Sequence, residues 1–172
     1  VVAVYGYSDE HDKIHKYPKL IAAVKKAVKT FRKANKKAMV MLAGDLNAYK
    51  DEHLDTNATG GTETIPRHAQ VIHAFEDMGL VDVFRRKHPQ SRAVTRMPQG
   101  QQQQVSRRLD YIMATKQLAE HRMTRIGIHA LADTTSDHVP VVMDVPLDLA
   151  GVAETAMPTW EPREVTQLRR RN

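Results

Sequence analysis

The sequence predicts a layered α/β protein, and three observations carry that expectation. Apolar residues recur at helical spacing in two segments, near residues 18–35 and 66–78. A short unbroken apolar run, Ala38 to Ala43, lies between them and has the character of a strand buried on both faces. Farther on, Ile126, Ile128 and Ala130 alternate as in a half-buried strand. Strands alternating with helices bury their apolar faces by stacking as layers.

The elements follow in order. Residues 1–5, Val-Val-Ala-Val-Tyr, read as a strand, and a polar loop is expected from Ser8 to Lys16. Leu20, Ile21, Val24, Ala27, Val28 and Phe31 then line one face of a helix from Pro18 to about Asn35, with lysines on the other face. Pro18 suits its first turn, where a missing N–H costs nothing. The run Ala38–Ala43 delivers Gly44 and Asp45 to a strand end. Residues 48–65 are polar, contain Gly60-Gly61, and read as a long loop. A second helix is expected from Pro66 to Met78, turning Ala69, Val71, Ile72 and Phe75 inward and stopping at Gly79.

Pro98 to Gln104 is a low-complexity, glutamine-rich loop. Arg108 to Ala114 reads as a strand, Lys116 to His121 as a helical turn, Thr124 to Ala130 as a strand and Val139 to Val145 as a last strand. Beyond Pro146 the pattern decays. A domain is therefore expected over 1–146, followed by a polar, Arg-rich tail or linker over 147–172, ending in Arg169, Arg170 and Arg171.

At 172 residues and 41% hydrophobic, the chain is long enough for one packed core. No apolar run approaches a membrane span, and no secretory apolar region opens the chain. Cysteine is absent, which excludes disulfides, zinc thiolates and Cys nucleophiles. Lys plus Arg exceed Asp plus Glu by 26 − 20 = 6, with much of the excess between Lys25 and Lys37. Such a surface favours a polyanionic partner, although any one basic run also reads as a solvated helix face. The opening Val-Val-Ala-Val-Tyr is mid-strand in character, which is expected of a fragment or a processed product.

Three motifs place carboxylates at strand mouths: Gly44-Asp45-Leu46-Asn47, Arg108-Leu109-Asp110-Tyr111 and Ser136-Asp137-His138. Each is weak alone, since Gly-Asp after an apolar run is commonly a turn. As a set they suit phosphodiester hydrolysis, which needs charge neutralisation at the phosphoryl oxygens, an activated water and help for the leaving oxygen. Hard oxygen donors suit Mg²⁺ or Mn²⁺. A carboxylate beside an imidazole fixes its tautomer and raises its basicity. His11 and His15 are four residues apart, but no third ligand is in view, and they read as exposed, while His68, His73, His88, His121 and His129 read as surface or partly packed.

In order and context, the three motifs resemble the endonuclease/exonuclease/phosphatase family. Its members include apurinic-site nucleases, DNase I-like enzymes, retrotransposon endonucleases, and inositol and sphingolipid phosphodiesterases. Two weaker matches join them. Val4-Tyr5-Gly6-Tyr7-Ser8 is similar to a strand and loop usually reading Tyr-x-Pro-Asn, and Leu80 to Phe84 is similar to a short segment reading Gly-Leu-x-Asp-x-Phe/Tyr-Arg. The resemblance runs from Val1 to about Val145 and implies the C-terminal part of a four-layer α/β/β/α sandwich, incomplete at the N-terminus.

The resemblance also implies roles. Asp45 matches the carboxylate that orients or deprotonates the attacking water, and it is a metal ligand as well. Asn47 matches the amide donor to the scissile phosphate. Asp110 matches the carboxylate that orients the catalytic imidazole, and His138 matches that imidazole. Asp137 matches a metal ligand or an acid behind the metal, and Tyr5 a phosphate-contacting hydroxyl. Arg96, Arg107 and Arg108, around the glutamine-rich loop, would approach a nucleic acid backbone.

The activity so implied is Mg²⁺- or Mn²⁺-dependent cleavage of DNA, as an endonuclease or exonuclease. Two alternatives stand beside it: an inositol-phosphate or lipid phosphatase of the same fold, and an inactive remnant that binds nucleic acid. A DNA nuclease would be expected inside the cell, the nucleus included. The family draws two further metal-site residues, an Asn and a Glu, from its first half. This sequence holds neither, so weak metal binding is expected of it alone. Ser8 stands where Asn is usual and no Pro precedes it, which departs from the apurinic-site subgroup.

Overall fold

The computed structural model describes residues 2–6, 10–57, 68–97, 105–129 and 136–145. The elements are β1 (Val2–Ala3), α1 (Glu10–Ala34), β2 (Met41–Asp45), α2 (Ala69–Asp77), β3 (Leu80–Asp82), α3 (Val83–Lys87), β4 (Asp110–Thr115), α4 (Lys116–Glu120), β5 (Arg125–Ile128) and β6 (Val141–Asp144). Several expected features lie outside the described residues: the Ser8 position, residues 58–65 of the long loop, the loop from Pro98 to Gln104, Ala130 and the 147–172 tail.

Four strands form one sheet in the order β1-β2-β4-β3, and β5 and β6 form a second, antiparallel pair. The alternation of side chains sorts the first sheet into two faces. Leu42, Tyr111 and Met113 turn to one side and pack with Val24 and Val28 of α1 and Val71, Ile72 and Phe75 of α2. Ala114 turns to the other side, with Met41, Val81 and Ile112, and meets Ile126 of β5, Val141 and Met143 of β6, Phe84 of α3 and Leu118 of α4. The result is a helical layer, a sheet and a second sheet, with a core on each face of the first. Fully burying a side chain of this kind stabilises by about 1.5–3 kcal/mol, so both faces hold β2 and β4 in place.

Two glycines are dictated by the backbone. Gly44 has φ 151°, and a Cβ there would lie 1.7 Å from the Val4 carbonyl oxygen. Only glycine lets β1 approach β2 beside Asp45. Gly79 has φ 77° and donates its N–H to the Glu76 carbonyl, closing α2 where the sequence predicts.

The first helix differs from the reading above. It starts at Glu10, so residues 10–16 are helical and Pro18 lies inside the helix instead of in its first turn. Polar composition does not separate a polar helical turn from a loop, and that is why the segment misleads. Tyr17, fully buried, anchors this stretch by donating its hydroxyl to the Leu46 carbonyl at 2.5 Å. Among the described residues, no helix is long and apolar enough to cross a membrane.

Candidate active site

Asp45 ends β2 and Asp110 opens β4, and the antiparallel register sets these two residues directly opposite one another. The third motif arrives from the second sheet, just ahead of β6. His138 there places Nδ1 2.8 Å from Asp110 Oδ2. Ligand atoms of Asp45, Asp110 and His138 all lie within 4.8 Å of one another, and the three could together hold a metal ion. All three side chains are partly exposed, so the group opens to solvent.

Asn47 orients Asp45. Its backbone N–H donates to Asp45 Oδ1 at 2.7 Å and its side-chain amide donates to Oδ2 at 2.8 Å. This double clasp requires a left-handed backbone at Asn47, φ 46°, a conformation that asparagine tolerates better than most residues. Burial has the largest influence on Asp45 and lifts its carboxyl above the ordinary carboxylate range. The Asn47 N–H opposes that shift and the nearby Asp110 carboxylate adds to it. Two carboxylates so close repel, and a hard divalent cation is the kind of ligand that relieves such a pair.

β1 reaches the same end of the sheet. Its ladder continues with Val4 N–H to the Ala43 carbonyl at 2.9 Å and Gly6 N–H to the Asp45 carbonyl at 2.5 Å. Tyr5 therefore stands level with Asp45, and its side chain is 72% exposed. An open cavity of about 470 Å³ adjoins the Asp110–His138 pair, walled by Gly44, Ile112, Val139 and Pro140 among others.

A device absent from the sequence reading holds the motifs together. Thr95 is fully buried, and its hydroxyl oxygen accepts the backbone N–H groups of Leu109 at 2.9 Å and Asp110 at 3.0 Å. Its carbonyl accepts from Val139 N–H at 2.8 Å, while its own N–H donates to the Arg107 carbonyl at 2.9 Å. One residue thus ties the start of β4 to the segment carrying His138. Arg96 and Met97 extend the stitch, pairing with Arg107 and Asp137 through the backbone.

Asp137 stands outside the three-residue cluster and receives Arg96 Nε at 2.9 Å. Arg96 is thereby partly engaged by a neighbouring carboxylate, and the Arg107 guanidinium sits 5.8 Å from the centre of the Tyr49 ring.

Arg108 is a correction. It is only 2% exposed, and its guanidinium donates to Asp55 at 2.8 Å and Asp82 at 2.6 Å while lying 4.2 Å from the centre of the Tyr111 ring. A cation so enclosed does not reach a nucleic acid. Arg85 joins the network by donating to Asp55 at 2.6 Å, and Asp82 also caps α3 by accepting the Arg85 N–H at 3.1 Å. The Gly79–Arg85 segment and Arg108 together form a buried brace beneath β4.

No family model matches this chain, and no curated protein matches it. Solved structures do. The 3'-5' exonuclease NExo from Neisseria meningitidis aligns with a TM-score of 0.64 and 22% identity, covering 83% of this chain and 59% of that one. A second structure, 3' phosphatase NExo from Neisseria bound to a product DNA hairpin, aligns with a TM-score of 0.63 and 22% identity over 84% and 60%. An AP endonuclease from Archaeoglobus fulgidus aligns with a TM-score of 0.58 and 23% identity over 83% and 60%. The chain shares the DNase I-like fold of these proteins and spans about three fifths of their length.

Proposed function

We propose that this chain carries part of the active site of a metal-dependent phosphodiester hydrolase acting on DNA. The observation that carries the reading is the Asp110–His138 pair, 2.8 Å apart, with the Asn47-oriented carboxylate of Asp45 beside it. The fold adds weight, since its neighbours are named as an exonuclease, a 3' phosphatase and an AP endonuclease, one of them bound to DNA.

In this mechanism Asp45 takes the proton of the attacking water, and the Asn47 clasp keeps its carboxylate aimed. Asp110 accepts a hydrogen bond from His138 Nδ1–H, and in the doubly protonated ring Nε2–H faces the phosphoryl group and donates to the oxygen on which negative charge develops. Asp45 and Asp110 would hold a divalent cation, Mg²⁺ or Mn²⁺, which when bound neutralises phosphoryl charge as a Lewis acid. Tyr5, level with Asp45 and exposed, is available to a phosphate oxygen. Asp137 acts at one remove by holding Arg96. Arg96 and Arg107 contact the nucleic acid backbone.

The test is nicking of supercoiled plasmid by the 172-residue chain, with Mg²⁺, Mn²⁺ or EDTA, in the presence and absence of an inositol polyphosphate competitor. The expected result is cleavage that requires the cation and falls at least about 100-fold in Asp45→Ala and His138→Ala. Cleavage indifferent to either substitution overturns the assignment. Preferential turnover of the inositol phosphate moves the substrate class, and metal-independent DNA binding without turnover supports the inactive remnant instead.

A further inference from the structure

The chain's strongest charge concentration lies away from the site just described. Between positions 25 and 37 it carries seven lysines and arginines and no acidic residue. Lys25, Lys29, Arg32 and Lys33 line a groove of about 570 Å³ between α1 and α2. Its remaining lining is Ile21 and Val28 from α1 and Ala74, Asp77 and Met78 from α2 and its end, so an apolar floor runs beneath a rim that is cationic along α1 and carries one carboxylate, Asp77, on the α2 side. Arg32 Nη1 donates to the Met78 carbonyl at 2.8 Å and pins the two helices at that end. Lys25, Lys29 and Lys33 are exposed, and among the described residues none is paired with a carboxylate.

We infer that this groove docks an acidic amphipathic helix from a partner protein. The rim lysines stand four residues apart, so their charges repeat about every 6 Å along the helix axis. Glutamates at the same interval on a facing helix meet them one for one, while apolar residues between those glutamates enter the floor. Helix-in-groove recognition has this form, with apolar anchors and flanking charge.

A duplex fits less well, because a phosphodiester backbone has no apolar face to place against Ile21 and Met78. The Arg32–Met78 end of the groove also lies away from the end of the sheet that carries Asp45. α1 ends at Ala34 just before the Met41 end of β2, and α2 ends just before Leu80, which pairs with Thr115 at that same end. Asp45 lies at the opposite end of β2, about 14 Å of strand away.

Fluorescence anisotropy tests this with three labelled probes: a helical peptide with leucines along one face flanked by glutamates, the same peptide with glutamines in their place, and a duplex oligonucleotide. The glutamate peptide is expected to bind at least about tenfold more tightly than the glutamine peptide. The combined substitution Lys25→Glu, Lys29→Glu and Lys33→Glu should weaken it by about tenfold or more, with an unchanged circular dichroism spectrum. Lys36→Glu with Lys37→Glu, in the same basic run but outside the groove lining, should change it less than about twofold. Equal binding of the two peptides, no binding of either, or indifference to the triple reversal overturns the proposal. Loss of duplex binding alone in the triple variant overturns it in favour of a nucleic-acid surface.

Discussion

Thr95 accepts the backbone N–H of Asp110 on its hydroxyl oxygen at 3.0 Å, fifteen residues ahead of it in the chain. The same oxygen accepts from Leu109, and the Thr95 carbonyl accepts from Val139, the neighbour of His138. The Asp110 carboxylate and the segment bearing His138 are thus referenced to one buried side chain. Thr95→Val removes that acceptor, leaves two buried donors unmet, and should lower stability by about 1–3 kcal/mol by urea denaturation. Thr95→Ser should restore most of the loss. Equal stability of Val and Ser variants would show that the hydroxyl holds nothing.

The brace formed by Arg108, Asp55, Asp82 and Arg85 makes a separate prediction. Removing one partner of a buried ion pair typically costs about 3–5 kcal/mol, because the other is left charged and unpaired. Arg108→Ala should therefore unfold at much lower urea, whereas Arg107→Ala, at the partly exposed neighbour, should stay near wild type. Matched midpoints for the two variants would return Arg108 to the surface.

Acid should reveal the same brace. Burial alone would raise the Asp55 carboxyl, but the Arg108 charge and the hydrogen bonds from Arg108 and Arg85 outweigh it, and the net shift is downward. A carboxyl depressed in the folded state contributes its stability above the unfolded value, about 3.9, and loses it as pH falls through the folded value. Between pH 5 and 2, taken as a rough window, the urea midpoint of the wild type should drop more steeply than that of Asp55→Asn. Parallel curves would mean that Asp55 is not held in this way.

Tyr111 makes an opposite forecast. It is fully enclosed, and among the described residues its hydroxyl has no hydrogen-bond partner. Burying such a group costs about 1–3 kcal/mol, so Tyr111→Phe should match or exceed wild-type stability while keeping the ring against Arg108. A clear loss in the same denaturation experiment would reveal a partner for that hydroxyl.

For nucleic acid binding, Arg96→Ala with Arg107→Ala should weaken affinity. It should also reduce the dependence of log K on log salt by roughly one unit for each phosphate no longer neutralised. An unchanged salt slope would remove both arginines from the interface.

The sequence made the site legible where chemistry sits in short motifs. Asp45, Asn47, Asp110 and His138 all lie at or near strand ends that apolar runs announce, and ligand atoms of Asp45, Asp110 and His138 come within 4.8 Å of one another. The rest was illegible for physical reasons. Thr95 lies in Ala93-Val94-Thr95-Arg96-Met97, which carries no periodicity or turn signal, and its importance comes from partners up to 44 residues away. Arg108 reads as surface because a cation normally is. Only the distant Asp55 and Asp82 permit its burial. The early start of α1 is hidden because a polar turn has no apolar stripe to reveal it.

The central claim is that Asp110 and His138 act as one unit. The direct test is a double-substitution cycle on cation-dependent plasmid cleavage, comparing Asp110→Asn, His138→Gln and the double variant under single-turnover conditions. Residues that act together lose most of their effect at the first substitution. The double variant should therefore be no more than about twofold slower than the slower single variant. Rate losses that multiply would mean that the two side chains contribute independently, and the hydrogen bond between them would have no part in the chemistry.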